Sequence, residues 1–174
     1  VSLHHTRYDL NEPANPAAND KHLSRTVPIF SFDSGIVLER DTTLARENFV
    51  QTIEPRVFYT YIPYRDQQLL PNFDSAEMDF SYPQLFLERR FSGEDRINDA
   101  NEITLAVSSR LIHSATGNER LRFSAGQRIR FSDRRVILTS PQVTRAGSDF
   151  IAELSGGITQ NIKTDTGIQL NQNN

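Results

Sequence analysis

Two short motifs in the sequence could carry acid–base chemistry. Asp33-Ser34-Gly35 and Asp165-Thr166-Gly167 are both Asp-Ser/Thr-Gly triplets, the shape found in aspartic proteases, where two carboxylates share one proton. Triplets this short arise by chance, and Asp165 lies among polar residues instead of in an apolar strand. An aspartic-protease-like enzyme that uses Asp33 and Asp165 is therefore a low-ranking alternative, and we expect no catalytic residues.

The histidines do not predict a metal site. His4 and His5 are adjacent, so on a strand their side chains point to opposite faces and cannot hold one ion together. His22 and His113 are isolated in the sequence, and the chain has no cysteine, which removes thiolate ligands, thiol catalysis and disulfides. We expect neither a metal nor a cofactor.

Arginine dominates the basic residues. Of 19 basic residues only Lys21 and Lys163 are lysines, and guanidinium groups favour planar, multidentate pairing. Residues 120–131 alternate strictly, with apolar side chains on one side of a strand and four arginines on the other, namely Arg120, Arg122, Arg128 and Arg130. Such a row would repel itself unless acidic residues on neighbouring strands interleave, and Glu54, Glu153 and Asp165 are the candidates.

The same period-two alternation recurs along the chain and predicts an all-β fold. It indicates about seven strands, near residues 1–10, 30–38, 53–61, 103–111, 120–131, 150–159 and 162–171. The first segment alternates poorly. No segment predicts a helix longer than a turn or two.

The predicted connections alternate in length as well. They run long, short, long, short, long and short, at residues 11–26, 41–47, 65–100, 113–118, 132–148 and 160–161. In an antiparallel up-and-down sheet this places all long loops at one end, which is typical of a transmembrane β-barrel of the bacterial outer membrane. We therefore predict about seven strands of a larger barrel, with apolar side chains facing lipid.

Composition narrows the alternatives. The 174 residues suit one domain, and their net charge of −3 gives no reason to expect nucleic-acid binding. No apolar run approaches the roughly 20 residues of a membrane-spanning helix.

A soluble β-sandwich that binds carbohydrate would alternate in the same way and stays open as an alternative. Because single-chain bacterial barrels have even strand numbers, seven strands suggest part of a longer protein.

A long, irregular motif carries a family resemblance. The chain reads IEPRVFYTYIPYRDQ at residues 53–67, PNFDSAE at 71–77 and ERRFSG at 88–93, with PIFSFDSG upstream at 28–35. This closely resembles the LptD (OstA/Imp) family of LPS-assembly outer-membrane proteins, within the middle portion of the C-terminal β-barrel domain. The resemblance spans roughly residues 26–170 and assigns residues 1–174 to a partial barrel domain of this type.

The resemblance implies non-enzymatic lipid transport in the cell outer membrane. Members of the family receive lipopolysaccharide from an LptA-type periplasmic bridge, hold an LptE-type lipoprotein in the lumen, and release lipopolysaccharide through a gate between the first and last strands into the outer leaflet. The expected partners are these proteins, lipopolysaccharide and outer-membrane lipid. The periplasmic jellyroll domain, the gate strands and the family's cysteines are not recognisable here.

Two sets of residues are the predicted functional positions. The first set should face the lumen and contact the lipoprotein, the sugar headgroup or each other, and consists of Glu54, Arg56, Arg110, Arg120, Arg122, Arg128 and Arg130. The second set should belong to a structured extracellular loop, because that segment is rich in proline and aromatic residues, and consists of Tyr64, Arg65, Asp66, Phe73, Asp74, Phe91, Asp95 and Arg96.

Overall fold

A computed structural model describes residues 1–11, 21–138, 146–157 and 163–171. They form eight β-strands and one 3₁₀ turn, Pro83–Phe86. The strands are β1 (Ser2–Asp9), β2 (His22–Gly35), β3 (Leu38–Leu44), β4 (Glu47–Ile62), β5 (Ala100–His113), β6 (Glu119–Arg130), β7 (Ser148–Gly157) and β8 (Lys163–Asn171). The all-β prediction is confirmed. Ile158, Thr159 and Ile162, which the alternation assigned to strands, lie outside the described residues.

All strand pairs are antiparallel, and the sheet has the order β1-β2-β4-β5-β6-β7-β8, with β3 also pairing with β4. β2 and β3 pair with successive halves of β4 and so form one row, interrupted at residues 36–37. Pro55 lies opposite the interruption, and proline has no N–H to donate to the ladder. The seven predicted strands thus correspond to seven rows, and the eighth strand arises from this break.

The connections alternate as the sequence predicted. Long ones span residues 10–21, 63–99 and 131–147, and short ones span 45–46, 114–118 and 158–162. The tightest turn joins β3 to β4 through Ala45 and Arg46, whose φ angles are 51° and 70°. Two successive positive φ angles match the right-handed twist of a hairpin. This turn is shorter than the predicted connection at residues 41–47.

One surface of the sheet is a continuous apolar layer. Cross-strand pairing places Phe32, Leu105, Phe123, Leu154 and Ile168 on the same face of β2, β5, β6, β7 and β8. Each of these side chains is more than 40% exposed. We call this side the apolar face. Among the described residues nothing covers it, so the aliphatic rows do not meet across a dry interior.

The opposite side, which we call the polar face, carries the arginines and is partly covered by residues 63–99, which we call the long connection. A small core forms where the long connection meets β2, β4 and β5, and it comprises Val27, Ile29, Ile62, Ile97 and Ala100. Leu85 and Phe91 of the long connection are also buried, at 0% and 2% exposure. The apolar core therefore lies between the sheet and this connection.

The sheet is open in the part of the chain that the structure describes. β1 pairs only with β2, and β8 pairs only with β7. The predicted barrel is therefore shown as an antiparallel sheet, and its closure stays a prediction. Within the described ranges, none of the helical structure is long and apolar enough to cross a membrane.

Candidate functional site

The polar face gathers most of the predicted lumen-facing residues into ion pairs. Arg110 contacts Glu54 at 2.5 Å between Nη2 and Oε1. Arg56 holds Asp33 through two hydrogen bonds, from Nε at 2.8 Å and from Nη2 at 2.5 Å. Both pairs join neighbouring strands, so each guanidinium links two rows of the sheet.

Arg122 shows how like charges are accommodated. It lies directly opposite Arg110 in the register of β5 and β6, a placement that destabilises a sheet when nothing intervenes. Glu119 accepts two hydrogen bonds from Arg122, at 2.9 and 2.7 Å, while Arg110 is paired with Glu54. Each arginine thus has its own carboxylate. The side chain of Arg120 makes no hydrogen bond or ion pair with the described residues.

The two remaining arginines are buried. Arg128 and Arg130 are 5% and 4% exposed. Nε of Arg128 lies 3.4 Å from Glu102, and Nη1 of Arg130 pairs with Asp149. The structure therefore brings together most of the predicted row, and the prediction that it faces a lumen stays a prediction.

The acidic partners differ from the three candidates considered from the sequence. Glu54 is a partner, but Glu153 instead accepts a hydrogen bond from the Tyr82 backbone N–H at 3.3 Å. Asp165 has no ion pair with an arginine among the described residues. Glu102 and Asp149 are not among the candidates because the predicted strands at residues 103–111 and 150–159 begin directly after them. Extending the β5 and β7 patterns by one residue toward their N-termini would have placed both carboxylates on the polar face.

Arg25 fastens the long connection to β2. It is 5% exposed and donates to the backbone oxygens of Asp95 and Glu94 at 2.7 and 2.8 Å. Its Nη1 also donates to Gln67, and Gln67 in turn donates to the Ile97 carbonyl at 2.7 Å. The two terminal nitrogens of Arg25 therefore connect β2 to residues more than forty positions away in the sequence.

Asp95 is the acceptor at the centre of the long connection. Its carboxylate accepts hydrogen bonds from the Tyr8 hydroxyl at 2.8 Å and from the backbone N–H groups of Phe73 and Asp74 at 2.5 and 3.0 Å. Burial alone would raise the pKa of Asp95, but these donors favour the charged form and together hold the pKa below its ordinary value. An ionised Asp95 therefore links β1 to two separate parts of the connection.

The other predicted loop residues fall into two groups. Asp74 accepts from the Glu94 and Asp95 backbone N–H groups at 3.1 and 3.2 Å, and Arg96 donates to the Leu70 and Pro71 carbonyls at 2.7 and 2.9 Å. These contacts set the internal shape of the connection.

Three of the remaining loop residues lie at the N-terminal end of the long connection. Tyr64 stacks under the Arg135 guanidinium at 4.1 Å, Arg65 reaches the Thr26 carbonyl at 3.4 Å, and Asp66 accepts from the Gln68 N–H at 3.0 Å. Phe73 is 75% exposed, whereas Phe91 is buried.

The 3₁₀ turn places Leu85 against the sheet at a glycine. A Cβ built on Gly126 would lie 2.5 Å from Leu85 Cδ1 and 3.2 Å from Ala106 Cβ, so only glycine leaves room for the leucine. The Thr104 hydroxyl donates to the Leu85 carbonyl at 3.0 Å, and Arg128 donates to the Gln84 carbonyl at 2.5 Å. The 3₁₀ turn of the long connection therefore packs into a depression of the polar face at Gly126.

The catalytic alternative finds no support in this arrangement. Asp33 is in β2 and Asp165 is in β8, and four strands lie between them in the sheet. Five strand spacings correspond to roughly 24 Å along the sheet, too far for two carboxylates to share a proton. No cluster of three or more metal-ligating side chains occurs in the described ranges.

Comparisons with known proteins point to one family. The family model described as LptD, LPS transport system D, matches residues 1–174. The LPS-assembly protein LptD of Nitrosomonas eutropha is 81% identical over 174 residues, which cover all of this chain and 24% of that protein. The proteins of the same name from Nitrosospira multiformis and Neisseria meningitidis serogroup B (strain MC58) are 51% and 44% identical, over 99% of this chain and 18% and 22% of those proteins. The chain spans about a quarter or less of these relatives.

Proposed function

We propose that this chain, which belongs to the LptD family of LPS transport proteins, is a wall segment of an outer-membrane β-barrel that transfers lipopolysaccharide to the outer leaflet. It corresponds to the middle portion of the C-terminal barrel domain. The role is transport without covalent chemistry. The apolar face carries this proposal, because it exposes aliphatic and aromatic side chains continuously from β2 to β8.

Three features of the sheet support a barrel wall over a soluble β-sandwich. A sandwich packs its apolar face against a second sheet and leaves its polar face in water. Here the long connection covers part of the polar face, and the apolar face is open in the described residues. The strands in the apolar layer are also long enough, since about 9–11 tilted residues cross the hydrocarbon and β5 and β6 have 14 and 12.

The edges and connections fit the same proposal. β1 and β8 each have one unpaired side in the described sheet, and neighbouring strands of the longer protein would pair there, since barrels remove edges by closure. The three long connections lie at one end, the extracellular end in this arrangement. The long connection then lies over the inner wall at the extracellular side.

The polar face would line the lumen. Its arginines are largely paired with carboxylates, so the wall is nearly neutral while offering many hydrogen-bond donors. A lumen of this kind suits an LptE-type lipoprotein and the sugar headgroup of lipopolysaccharide. Delivery from an LptA-type bridge would use another part of the longer protein.

Photo-crosslinking in cells tests the proposal. A benzophenone amino acid would replace Phe123, on the apolar face, in the full-length protein, and matched variants would carry it at Arg122, on the polar face, or at Leu69, which is 48% exposed in the long connection. We expect phospholipid adducts from position 123 and no phospholipid adducts from positions 122 and 69, where only transported lipopolysaccharide or the lipoprotein would react. If position 123 gives no lipid adduct in protein that reaches the outer membrane, the apolar face does not meet lipid and the barrel proposal fails.

A further inference from the structure

A cavity lies between the long connection and the polar face of β5, β6 and β7. Its volume is about 230 Å³, and it is lined on the sheet side by Glu102, Arg128, Arg130 and Asp149 and elsewhere by Arg90 and Arg134, among others. Five guanidinium groups and five carboxylates therefore line this space, the others being those of Arg89, Glu77, Asp79 and Glu88. Nothing in the proposed lipid-facing role of the strands requires such a cavity.

One buried carboxylate of the cavity is shared by two arginines. Glu102 is the partner of both Arg128, at 3.4 Å, and Arg134, at 3.1 Å. Its carboxylate is largely buried, as are both guanidinium groups, with 11%, 7% and 13% of these side chains exposed. One negative charge thus serves two cations in a region where solvent screens poorly.

Arg130 leaves two donors without an acceptor. Its side chain is 2% exposed, and Nη1 pairs with Asp149. Nε and Nη2 are buried and have no hydrogen-bond partner in the described structure. These two atoms form the side edge of the guanidinium, where their N–H bonds are parallel and fit two oxygens of one planar or tetrahedral oxyanion. Leaving charged donors unsatisfied in a buried site is costly.

Two further arginines in the cavity wall have an Nε that makes no hydrogen bond. Nε of Arg128 and Nε of Arg90 are buried and make no hydrogen bond within the same described ranges, although each lies in an ion pair, with Glu102 at 3.4 Å and with Glu77 at 3.2 Å. Arg90 has an ion pair with Glu77 at 3.2 Å, but that carboxylate is 53% exposed and is partly screened by water. Burial, together with the nearby positive charge of Arg134, lowers the pKa of Arg90 to about 10. The surroundings of Arg90 are therefore unfavourable to a further cation.

We propose that this cavity binds a phosphate-type oxyanion, which accepts from the Nε and Nη2 edge of Arg130 and is flanked by Arg128 and Arg90. The ligand is either inorganic phosphate or a phosphate group on a lipid headgroup. Only the second source rests on the proposed transport function. Such an anion would satisfy the two buried donors of Arg130.

Equilibrium dialysis of the full-length protein with radiolabelled inorganic phosphate tests the site. The main variant is the double substitution Arg130→Gln with Asp149→Asn, which removes both members of the buried pair and leaves no isolated charge. Arg40→Gln is the matched control, because Arg40 is exposed, does not line the cavity, and donates its hydrogen bonds within the described residues to Gln51. We expect saturable binding that the double variant weakens by about 10-fold or more, as loss of a charged hydrogen bond implies, and that the control leaves unchanged.

A conservative variant distinguishes loss of the anion site from misfolding. Arg130→Lys keeps the charge beside Asp149 but lacks the side edge with two parallel donors, so it should also weaken phosphate binding. Absence of saturable binding to the unmodified protein, or equal affinity in all variants, would overturn the proposal.

Competition then identifies the source of the phosphate. Micelles of a phosphorylated glycolipid should displace the radiolabel if the ligand is a headgroup, and the dephosphorylated lipid should not. Displacement by free phosphate but not by phosphorylated lipid supports the free ion as the ligand. This result is independent of the crosslinking at Phe123, so the anion site and the barrel proposal can fail separately.

Discussion

Replacing Gly126 by alanine should loosen the long connection from the sheet. The new Cβ would lie 2.5 Å from Leu85 Cδ1, a distance that forces the leucine to move, and Leu85 is fully buried. Overpacking of this kind costs about 1–3 kcal/mol. Restricting the unfolded chain by a glycine-to-alanine change recovers about 0.4–1 kcal/mol. The net loss is therefore about 1–2 kcal/mol.

The effect should depend on Leu85. Leu85→Ala alone creates a cavity and should cost about 2–5 kcal/mol, but it also removes the methyl group that Gly126→Ala would strike. In the double variant the clash disappears. The combined loss should therefore fall short of the sum by about 1–2 kcal/mol, a coupling expected for residues in direct contact.

Limited proteolysis measures this coupling in the full-length protein. Trypsin can cut the long connection at arginines such as Arg65 and Arg96, and cleavage of a transiently opened segment tracks its opening free energy when reclosing is fast. Gly126→Ala should speed cleavage by about 5- to 30-fold. Gly167→Ala is the control, because a Cβ there meets only Ala152 and Glu153. Strict additivity of Gly126→Ala and Leu85→Ala would refute the packing argument.

Two other predictions concern the connection and the tightest turn. The pKa of Asp95 is lower in the folded protein than in the unfolded chain, so the stabilisation of the fold by ionised Asp95 is present above the unfolded pKa near 3.9 and is lost as pH falls through the lower folded value. Hydrogen exchange of the Phe73 and Asp74 amides should therefore accelerate in that acid range beyond its intrinsic pH dependence. Asp95→Asn should abolish this additional acceleration. At the β3–β4 turn, Arg46 has a φ of 70°, a conformation that is strained for residues other than glycine, so Arg46→Gly should stabilise the turn by about 1 kcal/mol and slow amide exchange at Glu47. Arg40→Gly within β3 is the control and should not slow this exchange. Unchanged exchange with Arg46→Gly would contradict the argument that Arg46 is strained.

The sequence was most informative where neighbouring strands impose a repeating constraint. On β6 the alternation separates Phe123 from Arg122 and Arg128, and the structure places them on opposite faces. The rule works because side chains on a strand alternate between faces, whatever the partner strand. Of the acidic partners, only Glu54 was among the candidates, because the register of the strands decides which carboxylate meets an arginine and because Glu102 and Asp149 lay just outside the predicted strands.

Features that depend on distant residues escaped prediction. The break between β2 and β3 follows from Pro55 on another strand, and the path of the long connection follows from Asp95 meeting Tyr8, 87 positions away. The need for glycine at position 126 follows from the packing of Leu85 against it, which the sequence does not predict. In each case one residue of the contact can be recognised in the sequence, but the residue that it contacts depends on the fold.

The excess of arginine over lysine has a structural reason in the long connection. Arg128 lies beside Glu102 on the sheet and donates to the Gln84 carbonyl of the connection, and Arg25 donates from two nitrogens to three different acceptors across the same boundary. A guanidinium can do this because its five donors point in fixed directions in one plane, whereas an ammonium group offers three donors at one point. Where the polar face holds a folded segment against the sheet, arginine supplies both the charge pairing and the backbone contacts from a single side chain.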